Sequence, residues 1–150
     1  MHYKYHRRPN RLPLVHTVVA KLRGRGVFSA ESVSLATYFG QGIPHRQQRR
    51  RVRDMLDAYV QAGVLERHDG AACPLYRHRE FLTPDQLDLE KMRGFEEHAR
   101  SCRLRDKALV LQLIDHALDL LVPRDVDPAR FLSDGSVITS VEPVVLGTCL

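Results

Sequence analysis

The sequence predicts a mainly α fold with one small β hairpin. Three observations predict it. Five stretches carry helical signals, either apolar residues at three- and four-residue steps or recognisable caps. Two short apolar runs flank Asp69-Gly70, a dipeptide that favours a tight hairpin turn. Glycines and prolines fall mostly between these stretches, where they punctuate.

Each element has its own justification. In helix 1, expected over 14–22, Leu14, Val15, Val18, Val19 and Leu22 share one stripe, and Gly24 and Gly26 end it. Val27 and Phe28 suit a short strand. Ser29 suits an N-cap, with Glu31 facing the positive end of helix 2, expected over 30–38. Gly40 and Gly42 punctuate the next turn. Helix 3 is expected from Pro44, a favoured first helical residue, to Ala62, with Gly63 as its stop. Its buried stripe is Val52, Met55, Leu56, Tyr59 and Val60.

Residues 64–67 and 71–78 read as the two hairpin strands, with Pro74 confining the second to an edge or a bulge. Thr83 and Gln86 are spaced for a capping box around Pro84, so helix 4 is expected over 84–100, weakened by Gly94. Helix 5 is expected over 103–122, before Pro123. A short turn at 127–129 and a strand or hairpin within 137–146 complete the reading.

The 150 residues carry 43% apolar and 27% charged side chains, ordinary for a globular chain. The stretch Ala108 to Val122 is broken by Gln112, Asp115, His116 and Asp119, so no membrane span is expected. No signal peptide is expected either. Cys73, Cys102 and Cys149 do not form a disulfide framework, which favours a cytoplasmic location. The net charge is +5, unevenly divided. Residues 1–80 hold 15 Lys/Arg against 6 Asp/Glu, and residues 81–150 hold 8 against 12. A basic half joined to an acidic half implies one surface for a polyanion and another task elsewhere.

The order of three helices, with a tight turn between the second and third, then a hairpin, resembles the winged helix-turn-helix superfamily over about residues 14–79. Leu35-Ala36-Thr37-Tyr38, Gly40-Gln41-Gly42-Ile43, the long helix from Pro44 and the run Leu56 to Arg67 carry the resemblance, with Leu75-Tyr76-Arg77 after the turn. It implies a winged helix-turn-helix domain with a small β-wing, followed by a C-terminal helical hairpin. The expected organisation is a basic arm (1–13), the winged-helix domain (14–80), a helical dimerisation region (81–122) and a C-terminal extension (123–150).

Helix 3 supports a binding role independently of the family. At 100° per residue, Arg46, Arg50 and Arg53 fall within about 60° of one another, away from the apolar stripe, with Gln47 beside them. Five arginines lie between positions 46 and 53. Clustered near a helix N-terminus they oppose the macrodipole, and a polyanion relieves that repulsion. Arginine matches guanine O6 and N7, and glutamine matches adenine N6 and N7. The resemblance implies that residues near the start of this helix meet base edges, which makes Arg46, Gln47 and Arg50 the candidate base readers. Arg49, Arg51 and Arg53 are the candidate phosphate contacts. The resemblance adds Arg67, His68 and Arg77 of the wing as backbone contacts. Arg7, Arg8 and Arg11, with Tyr3 and Tyr5, form a basic arm suited to a minor groove.

In helix 5, Leu104, Leu111, Ile114, Leu118 and Leu121 follow a seven-residue pattern in which Lys107 takes one core slot. Val110, Leu113, Ala117 and Leu120 cover a neighbouring face. Two apolar faces need two partners. One is the winged-helix body or helix 4. For the other, the resemblance to winged-helix regulators that dimerise through added C-terminal helices implies a homodimer through residues 103–122, with a helix buried within the monomer as the alternative. Cys73, His78, His98 and Cys102 have irregular spacing for zinc, and Asp115, His116 and Asp119 fit a solvated stripe better than a metal site. No metal or other cofactor is expected. Phosphate-loop, nucleophile-elbow and HExxH motifs are absent, so no enzyme is expected. The leading expectation is a dimeric, sequence-specific regulator that binds double-stranded DNA. The alternative is a winged-helix adaptor or inhibitor that binds protein within a larger nucleic-acid machine, such as a polymerase or an RNA-guided effector complex. Non-specific binding of RNA or single strands is disfavoured by the lack of an aromatic stacking platform.

Overall fold

The computed structural model describes residues 10–69 and 72–122. The elements in chain order are α1 (Val15–Lys21), β1 (Phe28–Ser29), α2 (Ala30–Thr37), α3 (Arg46–Gln61), β2 (Leu65–His68), β3 (Leu75–His78), α4 (Leu89–Arg100) and α5 (Lys107–Leu121). The fold is mainly helical with a small antiparallel sheet. A 3₁₀ turn at Leu12–Leu14 leads into α1, and another at Pro84–Gln86 precedes α4.

The apolar stripe of α1 is buried throughout, as its spacing predicts: Leu14, Val15, Val18, Val19 and Leu22 are at most 2% exposed. Val52, Leu56 and Tyr59 of α3 meet this stripe, and Met55 and Val60 pack partly buried beside them. Ser29 caps α2 by accepting the Ser32 N–H, and Ser32 Oγ accepts the Ser29 N–H. α3 starts later than Pro44. His45 is the N-cap, with Nδ1 accepting from Gln48 N–H and Gln48 Oε1 accepting from His45 N–H. Pro44 sits outside the helix, in the turn.

The strand order is β1-β3-β2. Phe28 pairs with Tyr76, and Arg67 pairs with Tyr76 from the other side. This corrects the expectation for β3, which is the central strand rather than an edge or a bulge. Pro74 lies just before its first paired residue, Leu75, and so removes no ladder bond. The hairpin turn at Gly70 and Ala71 lies outside the described residues.

The single helix expected over 84–100 is two pieces. Gln86 Oε1 accepts the Thr83 N–H, as the spacing predicts, but the turn closes after Gln86. Leu87 is extended, and the Asp88 N–H donates to Ala62 O at 3.0 Å. Docking on the end of α3 therefore diverts the chain. Asp88 then caps α4 by accepting the Lys91 N–H.

The last two helices do not form an appended hairpin. α4 packs on α1 and the 12–14 turn, whereas α5 packs on α2. Ile114, Ala117, Leu118 and Val122 are buried in the same core as α1 and α2. Two ion pairs fasten α5 from the other side: Lys21 to Asp115 at 2.8 Å and Arg25 to Asp119 at 2.8 Å. The acidic stripe at 115 and 119 thus clamps the end of α1 and the connection that follows it. Arg25 is 5% exposed and also donates to Val122 O. Among the described residues no helix is long and apolar enough to cross a membrane. Residues 1–9 of the expected arm and the elements expected within 123–150 lie outside the described residues.

Candidate nucleic-acid interface

The basic cluster occupies the first half of α3, a helix about 24 Å long. Its placement follows from amphipathicity. Val52, Leu56 and Tyr59 hold one face of the helix against the core, leaving the opposite face of its first turns to solvent. Arg46, Gln47, Arg50 and Arg51 are exposed, and Arg53 is half-buried. Arg46, Arg50, Arg51 and Arg53 make no ion pair with any described residue. Arg46, Gln47 and Arg50 therefore form one open donor surface, as their spacing predicts.

Arg49 is placed differently from its neighbours. It is half-buried and lies 3.5 Å from Glu31 of α2, which is only 8% exposed. Burial pushes the Glu31 carboxyl above the usual range, and Arg49 draws it back. Arg49 thus already faces a carboxylate. Glu31 also stands in the first turn of α2, where the helix dipole favours negative charge.

The candidate contacts on the hairpin are engaged with nearby acids of the hairpin and of α3. Arg67 donates to Asp57 and Asp69, both at 2.7 Å. Tyr76 donates its hydroxyl to the same Asp57 oxygen at 2.6 Å. These hydrogen bonds raise the Arg67 pKa, and burial raises that of Tyr76. Arg77 pairs with Glu66 at 3.0 Å, and His68 lies 3.6 Å from the same carboxylate. Both Arg77 and His68 remain exposed. The hairpin is therefore closer to neutral than its basic residues alone imply.

Arg11 does not belong to a loose arm. It is half-buried, and its Nη1 donates to Phe39 O just beyond the end of α2. Burial lowers its pKa. Arg11 also lines a cleft of about 400 Å³ at the start of α3, together with Tyr38, Gln41, Ile43, His45 and Gln48. Arg7, Arg8, Tyr3 and Tyr5 lie outside the described residues.

The sequence reading missed a buried polar cluster beneath the basic helix. His16 of α1 is 8% exposed, with Nδ1 2.9 Å from the Tyr59 hydroxyl and Nε2 2.8 Å from His98 Nδ1 of α4. Tyr59 stacks on Phe95 at 4.2 Å. Burial, reinforced by His98, pushes the His16 pKa down to about 4. His16 lies within an apolar run, next to Val15, and only its neighbours in space reveal its role. His78 bonds Val19 O at 2.6 Å. The two histidines weighed as zinc ligands thus have separate partners. Among the described residues no three His, Cys, Asp or Glu side chains are grouped to hold a metal ion.

No protein-family model, curated protein or solved structure matches the chain.

Proposed function

We propose that the protein is a winged helix-turn-helix regulator that binds double-stranded DNA in a sequence-specific manner through α3. The observation that carries this reading is the open surface of Arg46, Gln47 and Arg50, flanked by Arg51 and Arg53. Arg46, Arg50, Arg51 and Arg53 make no ion pair with any described residue, whereas Lys21, Arg25, Arg67 and Arg77 are paired. An α-helix fits the major groove, where arginine and glutamine read purine edges. Phosphate contacts supply most of the affinity.

The reading includes a homodimer through residues 103–122. Its support is the part of α5 left uncovered by the core: Leu109 and Leu113 are 55% and 37% exposed. They fall within about 40° of one another on one helix face. A dimer presents two recognition helices to half-sites about one DNA turn apart. The same exposed leucines favour the second reading, an adaptor that meets another protein of a nucleic-acid machine.

Selection from a random double-stranded DNA pool at near-physiological salt tests both. Enrichment of an inverted two-part motif is the expected result. Retention that vanishes as salt rises, with no enriched motif, refutes sequence-specific readout.

A further inference from the structure

The end of α5 and the α2–α3 turn enclose an apolar groove of about 320 Å³. Leu35, Phe39, Ile43, Ala117, Leu120 and Leu121 line it. Its rim is costly to leave in water: Ile43 is 83% exposed and Leu120 is 66% exposed. Isolated exposed leucines are ordinary, but two large side chains on the rim of one apolar groove mark a site that something covers.

Three features of the chain specify the occupant. The described residues end at Val122, directly after the groove-lining Leu120 and Leu121, so residues 123–150 are tethered within a residue or two of the groove. Within them, Val137, Ile138, Val141, Val144, Val145 and Leu146 form the one strongly apolar run. Residues 123–136 can span on the order of 45 Å when extended, so reach is not limiting. The charge also matches. Residues 123–150 hold Arg124 and Arg130 against Asp125, Asp127, Asp134 and Glu142. The groove, for its part, opens at Ile43, three residues before Arg46, which makes no ion pair with any described residue. Tethering gives such a segment an effective concentration on the order of millimolar, above that of a free second copy.

We propose that residues 137–146 dock in cis into the groove between α2, the α2–α3 turn and α5, covering Ile43 and Leu120. Docking there brings the acidic extension to the start of the basic helix. This inference does not rest on the nucleic-acid reading.

The test uses the full chain carrying a nitroxide on Cys149, with single labelling checked by mass spectrometry; Cys73 and Cys102 are 3% and 7% exposed. Methyl signals of Ile43, Leu35 and Leu120 are expected to lose most of their intensity. Val60, about 21 Å further along α3 than Arg46, is expected to keep its signal. The double substitution Val141→Asp, Val145→Asp, outside the described core, is expected to restore the lost signals. Equal intensities at Ile43 and Val60 overturn the proposal. Losses that appear only when isotope-labelled chains are mixed with nitroxide-labelled ones also overturn it, and assign the groove to a second copy.

Discussion

The Arg49 guanidinium of α3 lies 3.5 Å from the nearly buried Glu31 carboxylate of α2. One of the five clustered arginines is therefore half-buried beside a carboxylate and less open to solvent than Arg46 and Arg50. Glu31→Gln removes the charge and keeps most of the shape. If α3 binds DNA, Arg49 becomes free for a phosphate. The slope of log affinity against log salt is then expected to steepen by about 0.9, the value for one added phosphate contact. Fluorescence anisotropy across a salt series measures this, and an unchanged slope means Arg49 does not reach the backbone.

Arg46 and Arg50 are exposed and without ion pairs among the described residues, so their removal spares the fold. Arg46→Ala or Arg50→Ala is expected to weaken specific binding by about 1–3 kcal/mol while the thermal midpoint stays put. Arg67→Ala is expected to behave in the opposite way. It breaks the pair with Asp57, which joins the hairpin to α3, and the pair with Asp69 within the hairpin, and lowers stability by up to about 1 kcal/mol because the groups are partly exposed. Parallel binding isotherms and thermal melts separate the two classes.

Local signals made the first three helices and the hairpin legible. The α1 stripe, the Ser29 cap and the Gly63 stop are each set by neighbours in sequence. The basic surface of α3 was legible for the same reason, since helical periodicity alone groups Arg46, Gln47 and Arg50. What the sequence hid depends on distant partners. Nothing near Arg25 indicates that it will be buried against Asp119 and Val122 O. Nothing near Leu87 indicates that Asp88 will bond Ala62 and break the helix. Arg49 and Arg67 look like their neighbours until the fold sets an acid beside each.

α5 illustrates how much depends on such placement. Leu118 is fully buried in the common core, whereas Leu113 is 37% exposed. Leu118→Ala is expected to destabilise the chain by about 2–5 kcal/mol, the usual cost of an unfilled core cavity. Leu113→Ala is expected to change stability by no more than about 0.5 kcal/mol at low protein concentration, as surface substitutions do. If the dimer forms through α5, Leu113→Ala also weakens association. Urea unfolding gives the first comparison and sedimentation the second.

Burial of His16 makes stability depend on pH. A free imidazole titrates near 6.5, whereas His16 titrates at about 4 in the fold. Between these values the unfolded chain binds more protons. Stability from this group is therefore complete above pH 6.5 and is lost as pH falls toward 4. The side chains facing His16 are Tyr59 from α3 and Phe95 and His98 from α4. His16→Gln has no imidazole to titrate, so its stability is expected to fall less than that of the natural chain between pH 7 and pH 5. Glu31, raised by burial, acts in the opposite sense and is common to both proteins. The difference between their urea midpoints at the two pH values isolates His16, and identical differences contradict the assignment.

Two glycines give opposite expectations for the same substitution. Gly63 follows α3 with φ +90°, and an added Cβ would lie 2.0 Å from Gln86 O. That carbonyl belongs to the segment that bonds the end of α3, so neither backbone can retreat without breaking the Asp88 to Ala62 bond. Gly63→Ala is expected to cost more than about 1 kcal/mol, because both the left-handed backbone and the close approach exclude a side chain. Gly94 lies inside α4 with nothing within 4 Å of an added Cβ. Gly94→Ala is expected to stabilise by about 0.5–1 kcal/mol through helix propensity alone. Thermal melts of the two variants should move in opposite directions. A stable Gly63→Ala protein would mean that residues 86–88 do not pack on the end of α3.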